Sequence, residues 1–237
     1  MNAATLAERL SAYLPVLLHG AGMTLLVSAA AILIGFALGA ALLGLSLSGA
    51  GRGLARAAVA AYVSFFRGTP LLVQLLMAFY LPSAFGLDLP PLLVAIAVMG
   101  LNSAAFQCEI LRAGLAAVPA GQIEAALSFG IAPRRVFRHV QLPQMARAVW
   151  PAVISEAIDV VKNSAIVSVI AVAELARGAR QIAAANFRAL EVYLAAGLTY
   201  LVLTGAIFLL GAWLGRRLWG GPRAASRMLP HEAGGRP

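Results

Sequence analysis

The residues able to do chemistry stand in the middle of an apolar run. The segment SEAIDVVKNSAIVS sets Glu156, Asp159, Lys162 and Asn163 among valine, isoleucine and alanine. At about 100° per residue, Glu156, Asp159 and Asn163 fall within roughly 60° of one another on a helix. Lys162 follows Asp159 by three residues and can pair with it. A charge at membrane depth is costly unless it is paired or faces a cavity. Two readings fit: a polar face lining a hydrophilic passage, or pairings that hold two helices together. An Asp159–Lys162 pair still leaves Glu156 and Asn163 in need of water or a solute, which favours the passage. No hydrolytic or redox set is present. His19, His139 and His231 are scattered, no metal-ligand spacing occurs, and there is no GxxxxGK[ST] phosphate loop. The chain is therefore read as a non-enzyme that binds no cofactor itself. If ATP drives it, another subunit must bind the nucleotide.

The elements around this segment must be membrane helices. Of 237 residues, 61% are hydrophobic and only 11% charged, with a mean hydropathy of +0.87. A soluble domain carries roughly 25% charged residues. The net charge of +9 is nearly all arginine. In a soluble protein it would suggest nucleic acid. Arginines clustered between apolar segments mark cytoplasmic loops instead, so no nucleic-acid partner is expected. A single cysteine, Cys108, excludes an internal disulfide and suits a buried apolar position.

Taken in order, residues 1–18 space Leu6, Leu10, Tyr13, Leu14, Leu17 and Leu18 at helical intervals. That pattern predicts either an amphipathic N-terminal helix at the interface or a simple lead-in to the first span. Spans of about 20 apolar residues are expected near 22–47, 57–81, 92–111, 151–172 and 192–213. In the first, Gly35 and Gly39 form a small-xxx-small pair that could admit another helix. The second is interrupted by Arg67-Gly68-Thr69-Pro70. Either the helix breaks there inside protein or beside a cavity, or the span begins near Pro70 and Arg67 lies at the interface. The third carries Asn102, Ser103, Gln107 and Glu109, with Arg112 placed for an i,i+3 ion pair to Glu109. A Gly-, Pro- and Arg-rich tail, 217–237, is expected to be disordered.

Between the third and fourth spans lies the longest polar segment, within 113–150. Its stretch EAALSFGIAPRRVFRHVQLP runs from Glu124 to Pro143 and carries Arg134, Arg135, Arg138 and His139. Gly130 suits a left-handed helix end, and Pro133 suits the first turn of a following helix. Two short helices with a sharp bend are predicted, the second closed by Leu142-Pro143. Basic residues set the orientation. Loops 48–56 and 112–150 with the tail hold twelve arginines, against four in the opposite segments, Arg9, Arg177, Arg180 and Arg188. The twelve belong in the cytoplasm, which places the N-terminus outside and the C-terminus inside.

This polar stretch closely resembles the EAA loop of permease subunits of ABC importers: EAA, three residues, Gly, nine residues, Ile-x-Leu-Pro. Here it reads Glu124-Ala125-Ala126, Gly130, then Val140-Gln141-Leu142-Pro143, with Val140 in the isoleucine place. Further segments are similar to the polar amino-acid uptake subfamily: Arg67-Gly68-Thr69-Pro70-Leu71-Leu72-Val73-Gln74, Glu109-Ile110-Leu111-Arg112, Gly121-Gln122, Lys162-Asn163-Ser164 and Val169 to Leu175. The likeness covers about residues 19–215. Asn163 stands where the subfamily usually has an acid, and Phe106 where it usually has tyrosine. The resemblance implies an all-α integral membrane protein of the type I ABC importer permease fold. Five transmembrane helices would be joined by an N-terminal interfacial helix and cytoplasmic coupling helices, in a bacterial inner (cytoplasmic) membrane. It implies a second permease, identical or a sister, two ATPase subunits that bind ATP and Mg2+, and an external solute-binding protein that delivers an amino acid. Glu124, Ala125, Ala126, Gly130, Arg134, Arg135 and Arg138 would couple to the ATPase. The substrate path would comprise Arg67, Gly68, Thr69, Leu72, Gln74, Asn102, Glu156, Asp159, Lys162 and Asn163, and the acidic face points to a basic amino acid or opine. A secondary transporter or channel, or a structural permease half with a degenerate site, is the alternative.

Overall fold

The computed structural model describes residues 3–47 and 52–220, with side chains described for 11–47 and 53–220. Among these residues every regular element is helical: α1 (Ala3–Leu47), α2 (Arg52–Gly68), α3 (Leu71–Ala84), α4 (Pro91–Ala116), α5 (Ala120–Ser128), α6 (Pro133–Val136), α7 (Leu142–Asn163), α8 (Leu175–Asn186) and α9 (Ala189–Trp219). A π-helical turn, Phe137–Gln141, joins α6 to α7, and a 3₁₀ segment, Ser164–Ile170, extends α7.

Residues 3–18 do not form a helix of their own. They run into the first expected span as one 45-residue helix, with Pro15 inside it. The apolar part, Ser11–Leu47, is about 55 Å long at 1.5 Å per residue, well beyond a 30 Å hydrocarbon core. Its early part is covered by α8 and α9, through a core of Leu17, Leu175, Ala179, Val192 and Ala196. Gly20 lies against the backbone of Leu175, where a Cβ would come to 2.8 Å.

α1 packs along α4. Added to Gly35, a Cβ would stand 2.8 Å from both Cβ and Oγ of Ser103; added to Gly39, one would stand 2.7 Å from Gln107 Cβ. The Gly35–Gly39 pair is thus the seam through which the two backbones approach. Two further apolar cores fill the bundle. One joins α1, α3, α4 and the end of α7, with Val27, Leu75, Val98, Val160 and Ile170. The other joins α1, α2, α4 and the start of α7, with Leu43, Val63, Cys108, Leu111 and Met145. Cys108 is buried there as a free thiol.

The expected second span, 57–81, is broken. α2 and α3 meet at 102° across Thr69 and Pro70. Pro70 has no amide to continue α2, and it starts α3 from an extended conformation, φ −64°, ψ 133°. The fourth expected span also begins earlier than its apolar run. Leu142-Pro143 does not close the second short helix: α6 continues through the π turn into α7, with Pro143 in the first turn and Pro151 inside. The wider turn absorbs a backbone position where proline donates nothing. By length and composition, Ser11–Leu47, α4 and α9 can each cross a membrane, and the bent α2–α3 pair makes a fourth if it is one span. α7 falls outside that group because Arg147, Glu156, Asp159 and Lys162 interrupt it. The tail beyond residue 220 lies outside the described residues.

Candidate functional site

The polar face of α7 opens into a cavity of about 330 Å3. Glu156, Asp159 and Asn163 line it from α7, as helical spacing requires; Asn102 and Phe106 of α4 and Leu71 of α3 face them. Glu156 Oε1 accepts a hydrogen bond from Ser103 Oγ at 2.8 Å. Ser103 is buried behind Gly35, so the α1–α4 seam holds the donor that orients this carboxylate. Asp159 pairs with Lys162 Nζ at 2.6 Å, both side chains more than half exposed. One carboxylate is therefore neutralised on its own helix, and the other is fixed by a neutral hydroxyl.

The remaining sequence-predicted path residues lie around the α2–α3 break. Thr69 Oγ1 donates to the Phe65 carbonyl at 2.8 Å. Gln74 is buried, and its Nε2 donates to the carbonyls of Phe66 and Thr69 at 3.0 and 3.1 Å and to Thr69 Oγ1 at 2.8 Å. Asn102 Nδ2 joins the same net, donating to Phe66 O at 3.0 Å and Gln74 Oε1 at 3.1 Å. Gln74 and Asn102 take up the Phe66 and Thr69 carbonyls at the break, where Pro70 has no amide to offer Phe66. Asn102 thus belongs to both the brace and the cavity, whereas Thr69, Leu72, Gln74 and Gly68 do not line the cavity. Arg67 lies apart: Nη1 is 3.5 Å from Glu109 Oε2, and its guanidinium sits over the Phe106 ring at 5.4 Å. Glu109 also holds Arg112, at 2.5 and 3.0 Å, so the expected i,i+3 pair has become a three-residue set.

The polar loop forms two short helices at one end of the bundle. Gly130 takes φ +74°, the left-handed conformation expected of it, and Pro133 opens α6. Glu124, Ala125, Gly130, Arg134, Arg135 and Arg138 are exposed and Ala126 is half-buried, while Val136 anchors the loop at 2% exposure. Gln144 Nε2 ties α7 to α5 through Gln122 Oε1 at 2.7 Å. Among the arginines stand apolar side chains that the sequence reading passed over: Phe129, 86% exposed, with Leu127, Ile131 and Phe137. Their signal was available, since four large apolar residues within a basic loop have no membrane run to belong to.

At the opposite end, Glu174 is fully buried and caps α8. It accepts from the amides of Ala176 and Arg177 at 2.8 and 2.7 Å and from Tyr200 Oη at 2.9 Å. Burial pushes its carboxyl above the usual value, against these donors and Arg180. Arg180 donates to the Ser168 hydroxyl, which ties α8 to the 3₁₀ segment.

Residues 40–220 match the family described as binding-protein-dependent transport system inner membrane component. The chain belongs to that family, whose members are the membrane-spanning permease subunits of ABC importers and do not themselves hydrolyse ATP. It is 35% identical to the arginine transport system permease protein ArtQ of Bacillus subtilis over 208 residues, covering 86% of this chain and 93% of that one. With the glutamine transport system permease protein GlnP of Escherichia coli it shares 33% identity over 207 residues, 86% and 94% of the two chains. A solved amino acid ABC transporter with histidines superposes with a TM-score of 0.82 at 34% identity, over 92% of this chain and 99% of that one. The likeness to ABC importer permeases read from the EAA spacing is thereby established over the matched residues, 40–220.

Proposed function

We propose that this chain forms half of the translocation pathway of an ATP-driven amino-acid importer, and that its solute is a basic amino acid or a related opine. The observation that carries the reading is the cavity between α7, α4 and α3. It presents Glu156, Asp159, Asn163 and Asn102 at one place, and its size lies in the range of small-molecule sites. Glu156 meets a cationic group of the solute. Lys162 neutralises Asp159 in the present arrangement and is the group available to a solute carboxylate when that pair opens. The arginine named for ArtQ agrees with a cationic solute, and the glutamine named for GlnP marks the neutral alternative within the same family.

In this reading α7 is the fourth of five crossings and the α2–α3 pair the second, with the N-terminus outside and α5, α6 and the C-terminus in the cytoplasm of a bacterial cell. A second permease, identical or a sister, completes the path, and an external binding protein delivers the solute. Two ATPase subunits bind ATP and Mg2+ and receive α5 and α6. The apolar Phe129 and Ile131 seat in their surface, and Arg134, Arg135 and Arg138 reach acidic groups. Closure of the ATPase pair draws the two coupling loops together and turns the cavity outward; hydrolysis reverses it.

Uptake competition in cells carrying Glu156→Gln tests the solute. The variant is expected to lose its preference for arginine or histidine over neutral amino acids, and an unchanged preference refutes the assignment. Gly130→Trp tests the docking: a left-handed residue on an exposed turn is replaced by a bulky side chain that L residues place there at a cost of about 1–2 kcal/mol. Substrate-stimulated ATP hydrolysis should be lost, and normal stimulation removes the loop from the coupling role. A secondary transporter would take up solute without ATP or binding protein. A degenerate half would tolerate both Glu156 and Asn163 substitutions.

A further inference from the structure

A second, larger cavity, about 590 Å3, lies between α1, α2 and α4, away from the α7 face. Its rim carries Arg56, Ser64 and Arg67 from α2 with Glu109 and Arg112 from α4. The α2 residues are spaced by eight and three, so they fall on one helical face. The floor is apolar: Leu43, Val59, Val63 and Leu115, with Leu47, 42% exposed, continuing it outward. Three guanidinium groups against one carboxylate leave a net charge of +2 on the rim. Glu109 is shared between Arg67 and Arg112, at 3.5 and 2.5 Å. Arg56 donates to the Ser46 carbonyl at 3.2 Å and pairs with no carboxylate among the described residues. Uncompensated arginines clustered in one cavity call for an anion, and the planar fork of guanidinium matches phosphate oxygens.

We propose that this cavity binds the phosphate headgroup of an anionic phospholipid, with the acyl chains leaving over the apolar floor past Leu47. The shared chemistry with a free phosphate ion is the arginine rim. The floor decides for the lipid, because an inorganic ion would leave that apolar surface uncovered while a diacyl headgroup region fills both parts. Basic pockets between membrane helices at the cytoplasmic side are suited to anionic headgroups. Only the choice of leaflet depends on the orientation proposed above. The site ties the end of α1 and the first turns of α2 to the end of α4, immediately before α5 and α6, so its occupant is placed to brace the loop that would meet the ATPase.

The test uses the full chain purified in detergent together with its ATPase subunits. Bound lipid is counted by native mass spectrometry, and thermal stability is followed while phosphatidylglycerol, phosphatidylcholine or inorganic phosphate is added. Phosphatidylglycerol is expected to bind and stabilise, and phosphatidylcholine is not. Each arginine near an anionic surface is worth about a five-fold change in affinity. Arg56→Gln/Arg112→Gln should therefore weaken phosphatidylglycerol binding about 25-fold. Ala60→Trp, which fills the cavity and leaves every arginine in place, should abolish it, and this variant carries the test if the double variant does not fold. Unchanged phosphatidylglycerol binding in either folded variant overturns the site. Equal stabilisation by inorganic phosphate overturns the lipid in favour of a free anion. Detergent exposes both ends of the chain, so a negative result counts against the site and leaves the orientation standing.

Discussion

Gly35→Ala isolates the seam on which the candidate substrate site rests. The new Cβ would lie 2.8 Å from Ser103 Cβ and Oγ and 3.3 Å from the Ala104 amide nitrogen. Ordinary carbon contacts sit near 3.5–4.0 Å, so α1 and α4 must part by about 0.8 Å or Ser103 must turn. Ser103 is only 1% exposed and its hydroxyl holds Glu156 Oε1, so neither movement is free. Overpacking of this kind costs about 1–3 kcal/mol. At about 2–4 °C per kcal/mol for a chain of this size, the unfolding midpoint in detergent should fall by about 2–12 °C. Gly22→Ala is the control, because a Cβ there meets nothing within 4 Å; it should be neutral or stabilising by up to about 1 kcal/mol. Pairing Gly35→Ala with Ser103→Gly removes the opposing Cβ and should recover part of the loss, a coupling readable in a double-mutant cycle. If Gly35→Ala unfolds at the same temperature as Gly22→Ala, the seam is not closed where it is described, and the link from α1 through Ser103 to Glu156 falls with it.

Gln74→Ala should destabilise by about 1–3 kcal/mol, since the Phe66 and Thr69 carbonyls lose a buried donor at the 102° bend. Thermal unfolding no different from wild type would show that the bend needs no brace. Glu174 gives a pH signature. Its carboxyl sits above the ordinary range because it is buried, so the folded state binds the proton more tightly than the unfolded state does. Stability from this group is full at acid pH and is lost as pH rises through the folded-state value. The midpoint of wild type minus that of Glu174→Gln should therefore shrink as pH is raised from about 5 to about 8; a difference that widens refutes the burial argument.

Much of this was legible in the residues. Gly130 announced a left-handed turn because only glycine sits there without strain, and Pro133 announced a helix start because its missing amide is not needed there. The three α7 side chains on one face followed from helical periodicity alone. What the one-dimensional reading missed came from partners distant in the chain. Gln74 was expected in the path because polar groups in apolar spans demand a use, yet it spends its hydrogen bonds bracing a broken helix and does not line the cavity, whereas Asn102 does both. Ser103 looked like any small polar residue until Gly35, far away in sequence, was found against it. The joining of residues 3–18 to the first span, and the passage of α6 through a π turn into α7, were hidden because proline reads as a stop where local geometry accommodates it.

Composition and hydropathy determined by themselves that this is a helical membrane protein, and the resemblance of its polar loop to the EAA motif pointed to an importer permease. Those properties reside in local chemistry: apolar length against bilayer thickness, and turn residues at set offsets. The tertiary structure alone decided which polar side chains share a cavity, which carboxylate is neutralised on its own helix, and where three arginines converge around an apolar floor. Such groupings depend on how closely helices approach and at what angle they cross. Those quantities are set by small residues at contacts between segments far apart in the chain, and helical periodicity says nothing of them.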